Sequence, residues 1–179
     1  MPKPPAKGGF TLVELLVVLV IMVVISGVVT VAMGPSLRDA RMRSACRMVA
    51  SSLNYARSYA ATSGKPARVL FYENGRRLMV EVPDDTSEGG RNMRELTTSA
   101  GRRRNLPEDV VVNRIVKVGS SQGTDYIEFD KLGQAEAAVI EIIDTGGGNK
   151  MYAVVDSITG RSRVYSRNEL EESCAAVLE

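Results

Sequence analysis

The chain has 179 residues, 44% of them hydrophobic, and a net charge of +2 from 23 basic and 21 acidic side chains, which fits one ordinary domain plus a short extra segment. Lys3 and Lys7 fall in the first nine residues, so the remainder balances at 21 against 21 and bulk charge gives no argument for nucleic acid as a partner. The chain has no His, which removes Ser-His and Cys-His catalytic pairs and the commonest metal ligand, so no enzyme, cofactor or metal site is expected.

Residues 1–9, with Pro2, Pro4 and Pro5, the cations Lys3 and Lys7, and Gly8-Gly9 at the end, cannot form a stable element and carry positive charge, as cytoplasmic flanks do. The apolar run Leu12–Met33 follows, broken only by Glu14, Ser26, Gly27 and Thr30. As a helix it measures roughly 33 Å at about 1.5 Å per residue, enough to cross a hydrocarbon core of about 30 Å. It is longer than a secretory signal core, and its small residues precede it, so a cut there leaves the apolar segment on the protein. Flanking charge alone favours the reverse topology, because Arg38, Arg41, Arg43 and Arg47 follow the run; the leader decides the orientation, since the other features agree with it.

Gly34-Pro35 is expected to break or kink the helix. Beyond it, Leu37, Ala45, Val49, Leu53, Ala56 and Ala60 form one helical stripe, with Arg38, Arg41, Arg47, Asn54 and Arg57 on the opposite face. Ser63-Gly64-Lys65-Pro66 ends it. From Ala67 the period becomes alternating, and Asn74-Gly75 predicts a hairpin whose register pairs Phe71 with Leu78, Val69 with Val80 and Ala67 with Val82 on one face. Residues 83–108 read as a long polar loop. Further strands are expected at 109–118, 125–130, 137–144, 151–156 and 161–165, with turns at 119–123, 146–149 and 159–160, and a short capping helix in 168–179 built on Leu170, Cys174, Val177 and Leu178. The architecture is α+β, one long helix against antiparallel sheets.

Gly9, Phe10 and Glu14 resemble the class III signal of type IV prepilins and type II secretion pseudopilins. Ala56-Arg57 with Ala60-Ala61, Arg68-Val-Leu-Phe71, Leu106-Pro107, Phe129-Asp-Lys-Leu-Gly133 and Thr159-Gly160-Arg161 are similar to successive landmarks of the H-type minor pseudopilins of the general secretion pathway. The resemblance implies a type IV pilin-like fold. It divides the chain into a prepilin leader (1–9), a transmembrane and assembly helix (10–34), an amphipathic helix (35–64) and a periplasmic β-rich domain (65–179). It implies cleavage after Gly9 by a prepilin peptidase and N-methylation of Phe10. It further implies a single pass through the bacterial inner membrane, and work at or near the tip of a periplasmic pseudopilus that drives export of folded proteins. Partners would be other minor and major pseudopilins, the inner-membrane secretion platform, membrane lipid and secreted cargo. The alternative is a minor pilin of a type IV pilus, one that binds DNA.

An acidic residue inside an apolar span ordinarily has a partner. Glu14 is expected to pair with the free α-amine of Phe10 on a neighbouring subunit; the plain alternative is a side chain that snorkels to the interface. Cys46 and Cys174 are too far apart for a metal or redox motif and can form one disulfide in an oxidising compartment, against the alternative of two buried thiols. Arg102-Arg103-Arg104 lacks interleaved aromatic residues and reads as a solvated loop. Asp84, Asp85 and Glu88 are too few oxygen donors for calcium, and Gly146-Gly147-Gly148 reads as a turn, lacking the lysine of a phosphate loop.

Overall fold

The computed structural model describes residues 10–84, 92–118, 125–146 and 148–175, with the side chains of 27–36 and 172–175 outside the described set. The chain divides into two compact units, Met1–Leu37 and Arg38–Glu179.

The first helix, α1, runs Leu12–Ser63. Helix is assigned through Gly34 and Pro35, so the expected break in secondary structure is absent. In the first unit the described apolar side chains stand open: Leu12, Leu15, Leu19, Met22 and Ile25 are all exposed. Among the described residues no helix is long and apolar enough to cross a membrane; the described side chains of the apolar run end at Ser26.

In the second unit α1 buries Met42, Ala45, Cys46, Val49, Leu53, Ala56 and Ala60. The stripe is the expected one with a correction at its start. Leu37 is 54% exposed and takes no part, while Met42 and Cys46 join because they fall on the same face three or four residues from its members. The helix ends where the sequence indicates, with Gly64 at φ +67° and its N–H donating to Ala60 O at 3.0 Å.

Two antiparallel sheets pack on that face. Strands β1 (Ala67–Tyr72), β2 (Arg77–Pro83), β3 (Met93–Glu95), β4 (Arg104–Asn105) and β6 (Tyr126–Phe129) form one, ordered β3-β2-β1-β6 with β4 also on β2. Strands β5 (Val110–Lys117), β7 (Ala138–Asp144), β8 (Lys150–Val155) and β9 (Ser162–Ser166) form the other in the order β5-β7-β8-β9. The short helix α2 (Arg167–Ala175) follows, capped by Ser166, whose Oγ accepts Glu169 N–H at 3.4 Å.

The β1–β2 register pairs Val69 with Val80 and Phe71 with Leu78, and Ala67, Val69, Phe71, Leu78, Val80 and Val82 are all buried. The turn carries Glu73, Asn74 and Gly75 at positive φ. Gly75 is required by contact as well: a β-carbon there would lie 2.0 Å from Val112 O, and its own carbonyl accepts Val112 N–H at 2.9 Å, tying the two sheets together. The expectation of a loop over 83–108 fails for its second half. Residues 93–95 and 104–105 pair with β2, and Val80 donates to Gly101 O while Leu96 donates to Val80 O, because β2 would otherwise leave its backbone groups unpaired. Residues 85–91, 119–124 and 147 lie outside the described set.

Candidate functional site

The first functional segment is the start of α1. Thr11 is its N-cap: Thr11 Oγ1 accepts Glu14 N–H at 3.2 Å and Thr11 O accepts Leu15 N–H at 3.3 Å. The helix therefore begins two residues after Phe10, and Glu14 is its third helical residue, where a carboxylate suits the helix dipole. Sequence reasoning missed Thr11, although Thr-x-x-Glu ahead of an apolar run is a capping-box signature. Phe10 is exposed. Gly9 lies outside the described residues, as do Asp85 and Glu88; Asp84 is described, its N–H donating to Asn92 O at 2.8 Å.

The second site is a clamp at the C-terminal end of α1, built from residues far apart in sequence. Two tight turns meet there. Asp130 Oδ1 accepts the N–H groups of Leu132 (2.9 Å) and Gln134 (2.8 Å), leaving Gly133 at φ +77°. Asp156 Oδ1 accepts Thr159 N–H (2.7 Å) and hydroxyl (2.8 Å), leaving Gly160 at φ +64°; these bonds, the backbone one foremost, hold the Asp156 carboxyl below its usual range. Both glycines are buried, and a β-carbon on Gly160 would lie 2.0 Å from Gly133 O. One on Gly133 would lie 3.1 Å from Arg57 O and 3.2 Å from Ala61 Cβ. Arg57 Nε donates to Thr159 O at 2.5 Å. The landmarks Ala56-Arg57, Ala60-Ala61, Phe129–Gly133 and Thr159-Gly160 thus converge on one contact that fastens both sheets to the helix.

The polar face of the helix continues this role rather than facing only solvent. Asn54 Oδ1 accepts Ser162 N–H at 3.2 Å, Ala50 O accepts the Ser162 hydroxyl at 3.1 Å, and Arg41 pairs with Asp109 at 2.6 Å. Arg38 reaches Gly146 O at 3.4 Å. Toward the other sheet, the hydroxyl of Tyr55 on α1 lies 2.8 Å from that of Thr98 in the β3–β4 connection.

Cys46 is a free, buried thiol, 3.7 Å from Met151 Sδ, and burial pushes its pKa up to about 11. The side chain of Cys174 lies outside the described residues. The arginine run does not present three free guanidinium groups. Arg103 pairs with Glu95 at 2.8 Å, and Arg104 is a strand residue reaching Ser99 O at 3.4 Å. Glu141 is buried on the second sheet; hydrogen bonds from Lys150 (2.9 Å) and then Asn113 (2.7 Å) hold its carboxyl below the usual range. Two openings, of about 720 and 510 Å³, lie among the described residues, the first between β5 and the end of β1 with its turn, the second beside β6 and the turn that follows it. Among the described residues no three His, Cys, Asp or Glu side chains are grouped to hold a metal ion.

A capped N-terminal helix, an amphipathic continuation and two antiparallel sheets clamped on it define a type IV pilin-like α+β protein. Residues 5–30 match the prokaryotic N-terminal methylation motif, and residues 45–160 match type II transport protein GspH. The chain belongs to the GspH family, the minor pseudopilins of type II secretion. No curated protein sequence matches it. Among solved structures, it is similar to the minor pseudopilin EpsH of the Vibrio cholerae type 2 secretion system (TM-score 0.57, 13% identity, 72% of this chain and 99% of that one). It is also similar to Escherichia coli GspH (0.55, 14%, 71% and 89%) and to the type IV minor pilin FimU of Pseudomonas aeruginosa (0.51, 14%, 72% and 90%). At these identities the likeness is one of fold.

Proposed function

We propose that the mature chain begins at Phe10 after a prepilin peptidase cuts behind Gly9, and that Phe10 is then N-methylated. Leu12–Met33 holds the chain in the bacterial inner membrane, with residues 35–179 in the periplasm. From there the subunit joins a pseudopilus at or near its tip, beside other minor and major pseudopilins and over the inner-membrane secretion platform. The domain offers surfaces to those subunits and to secreted cargo. The observation that carries this reading is the position of Glu14. It sits in the first turn of a helix whose exposed side chains are otherwise apolar from Leu12 to Ile25. A carboxylate there is costly in lipid unless paired, and the new α-amine of Phe10 on an adjacent subunit is a cation near the same end of the span, brought level with Glu14 when that subunit is shifted by about one helical turn. The pairing sets the axial register between subunits.

The test is Glu14→Leu in cells carrying the rest of the secretion apparatus. The variant should enter the membrane and be processed, yet be missing from sheared or cross-linked filaments. Filament incorporation equal to that of the parent chain would defeat the register hypothesis.

A further inference from the structure

The two edges of the second sheet meet the problem of unpaired backbone groups differently. At β9 the outward N–H groups are taken by side chains: Ser162 N–H donates to Asn54 Oδ1 at 3.2 Å and Ser166 N–H to Glu169 Oε2 at 2.7 Å. At β5 the edge is open. Val118 N–H donates to Ala137 O at 2.8 Å, so alternation turns Val116 toward β7 and the N–H and C=O of Ile115 and Lys117 away from it. Val112, across the register shift at Val112–Arg114, also faces away, and its N–H is taken by Gly75 O. No hydrogen bond reaches the outward groups of Ile115 and Lys117 among the described residues.

Space adjoins this edge, since Ile115 borders the opening of about 720 Å³ and Lys117 the one of about 510 Å³. The Lys117 ammonium does not guard the edge as an exposed lysine would. It is tucked 4.5 Å from the centroid of the Tyr126 ring and 3.6 Å from Glu136. On the face turned away from the core, Val116 and Val118 are 44% and 72% exposed. Val116 starts an apolar row through its cross-strand neighbours Val139 and Val154. Around the two openings Asp125, Glu128 and Asp130 have no ion pair among the described residues, against Arg114 alone of the cations.

We propose that the β5 edge takes up an extended basic segment of a different subunit of the pseudopilus as an added strand. The strand bonds to Ile115 and Lys117. Its apolar side chains extend the Val116–Val139–Val154 row, and its alternate, basic ones meet Asp125 and Glu128. The inference rests on the assembly reading above, which also excludes a second copy of β5 as the occupant. Subunits of a filament are not related by a two-fold axis, which pairing β5 with itself requires.

The full-length chain in detergent is titrated, by fluorescence anisotropy, with a labelled peptide of alternating lysine and valine. Two controls are the same peptide N-methylated at alternate amides, which cannot pair, and a glutamate-for-lysine version. The parent peptide should bind at least tenfold more tightly than either. Lys117→Pro removes one outward N–H without touching the bonds to β7 and should weaken binding tenfold or more, whereas Lys117→Ala should bind within about twofold of the parent. Circular dichroism checks the fold of both. Amide exchange at Ile115 and Lys117 should be fast in the free chain and slowed by the peptide. Slow exchange in the free chain means the edge is already covered, equal binding of the N-methylated peptide means surface charge alone, and a dimer in analytical ultracentrifugation that Lys117→Pro abolishes means a second copy; each overturns the proposal. In cells Lys117→Pro should be processed yet depleted from filaments that retain Lys117→Ala. Undiminished incorporation of Lys117→Pro sinks the edge site and leaves the register hypothesis to the Glu14→Leu test.

Discussion

Replacing Gly160 by Ala should damage the domain far more than the same change at Gly64, and the difference measures the clamp. The two glycines have nearly the same backbone, φ +64° and +67°, but different surroundings. Around Gly64 nothing lies within 4 Å of a built β-carbon. Around Gly160 that carbon would meet Gly133 O at 2.0 Å and Arg57 Cδ at 3.2 Å. Gly64→Ala therefore carries conformational strain alone, about 1–2 kcal/mol. Gly160→Ala carries the same strain and must also push the two turns apart. That separation stretches the hydrogen bond from Arg57 to Thr159 O, a charge-assisted contact contributing about 1.5–3 kcal/mol. The expected total is about 2.5–5 kcal/mol. For a domain of this size each kcal/mol lowers the midpoint by about 2–4 °C. Thermal unfolding of the full chain in detergent, followed by far-ultraviolet circular dichroism, should show a fall of about 5–20 °C for Gly160→Ala and about 2–8 °C for Gly64→Ala. Equal falls would mean that the contact between the turns does not hold the domain together.

Glu141 gives a pH prediction. Its folded-state pKa is depressed below 4.5, mainly by Lys150 and then by Asn113, so its contribution is full above about pH 4.5 and is lost as acid protonates it. The parent chain should lose stability more steeply than Glu141→Gln as pH falls from 5 to about 3; parallel curves from urea titrations would contradict this. Cys46 should resist alkylation at pH 7.5 in the native Cys174→Ser variant and react once urea unfolds it, because burial keeps the thiol protonated and covered. Labelling of the native form at the unfolded rate, read by mass spectrometry, would show that the helix face opens easily.

Much of this protein was legible locally. The N-terminal methylation motif, the helical stripe from Ala45 to Ala60, the Asn74-Gly75 hairpin with its register and the five later strands all follow from patterns within a few residues, because periodicity and turn chemistry act at that range. The polar partners of the helix were not legible. Nothing near Arg57 or Asn54 in sequence indicates that Thr159 and Ser162 lie against them, more than a hundred residues away. The strand pairing at 93–95 and 104–105 was hidden for a related reason. Its residues are polar and short-run, and they become strands only because β2 offers unpaired backbone groups beside them. Apolar spacing states which side of an element is covered. Which distant turn covers it, and which glycine must stay bare so that the turn can come close, is decided only when the chain has closed on itself.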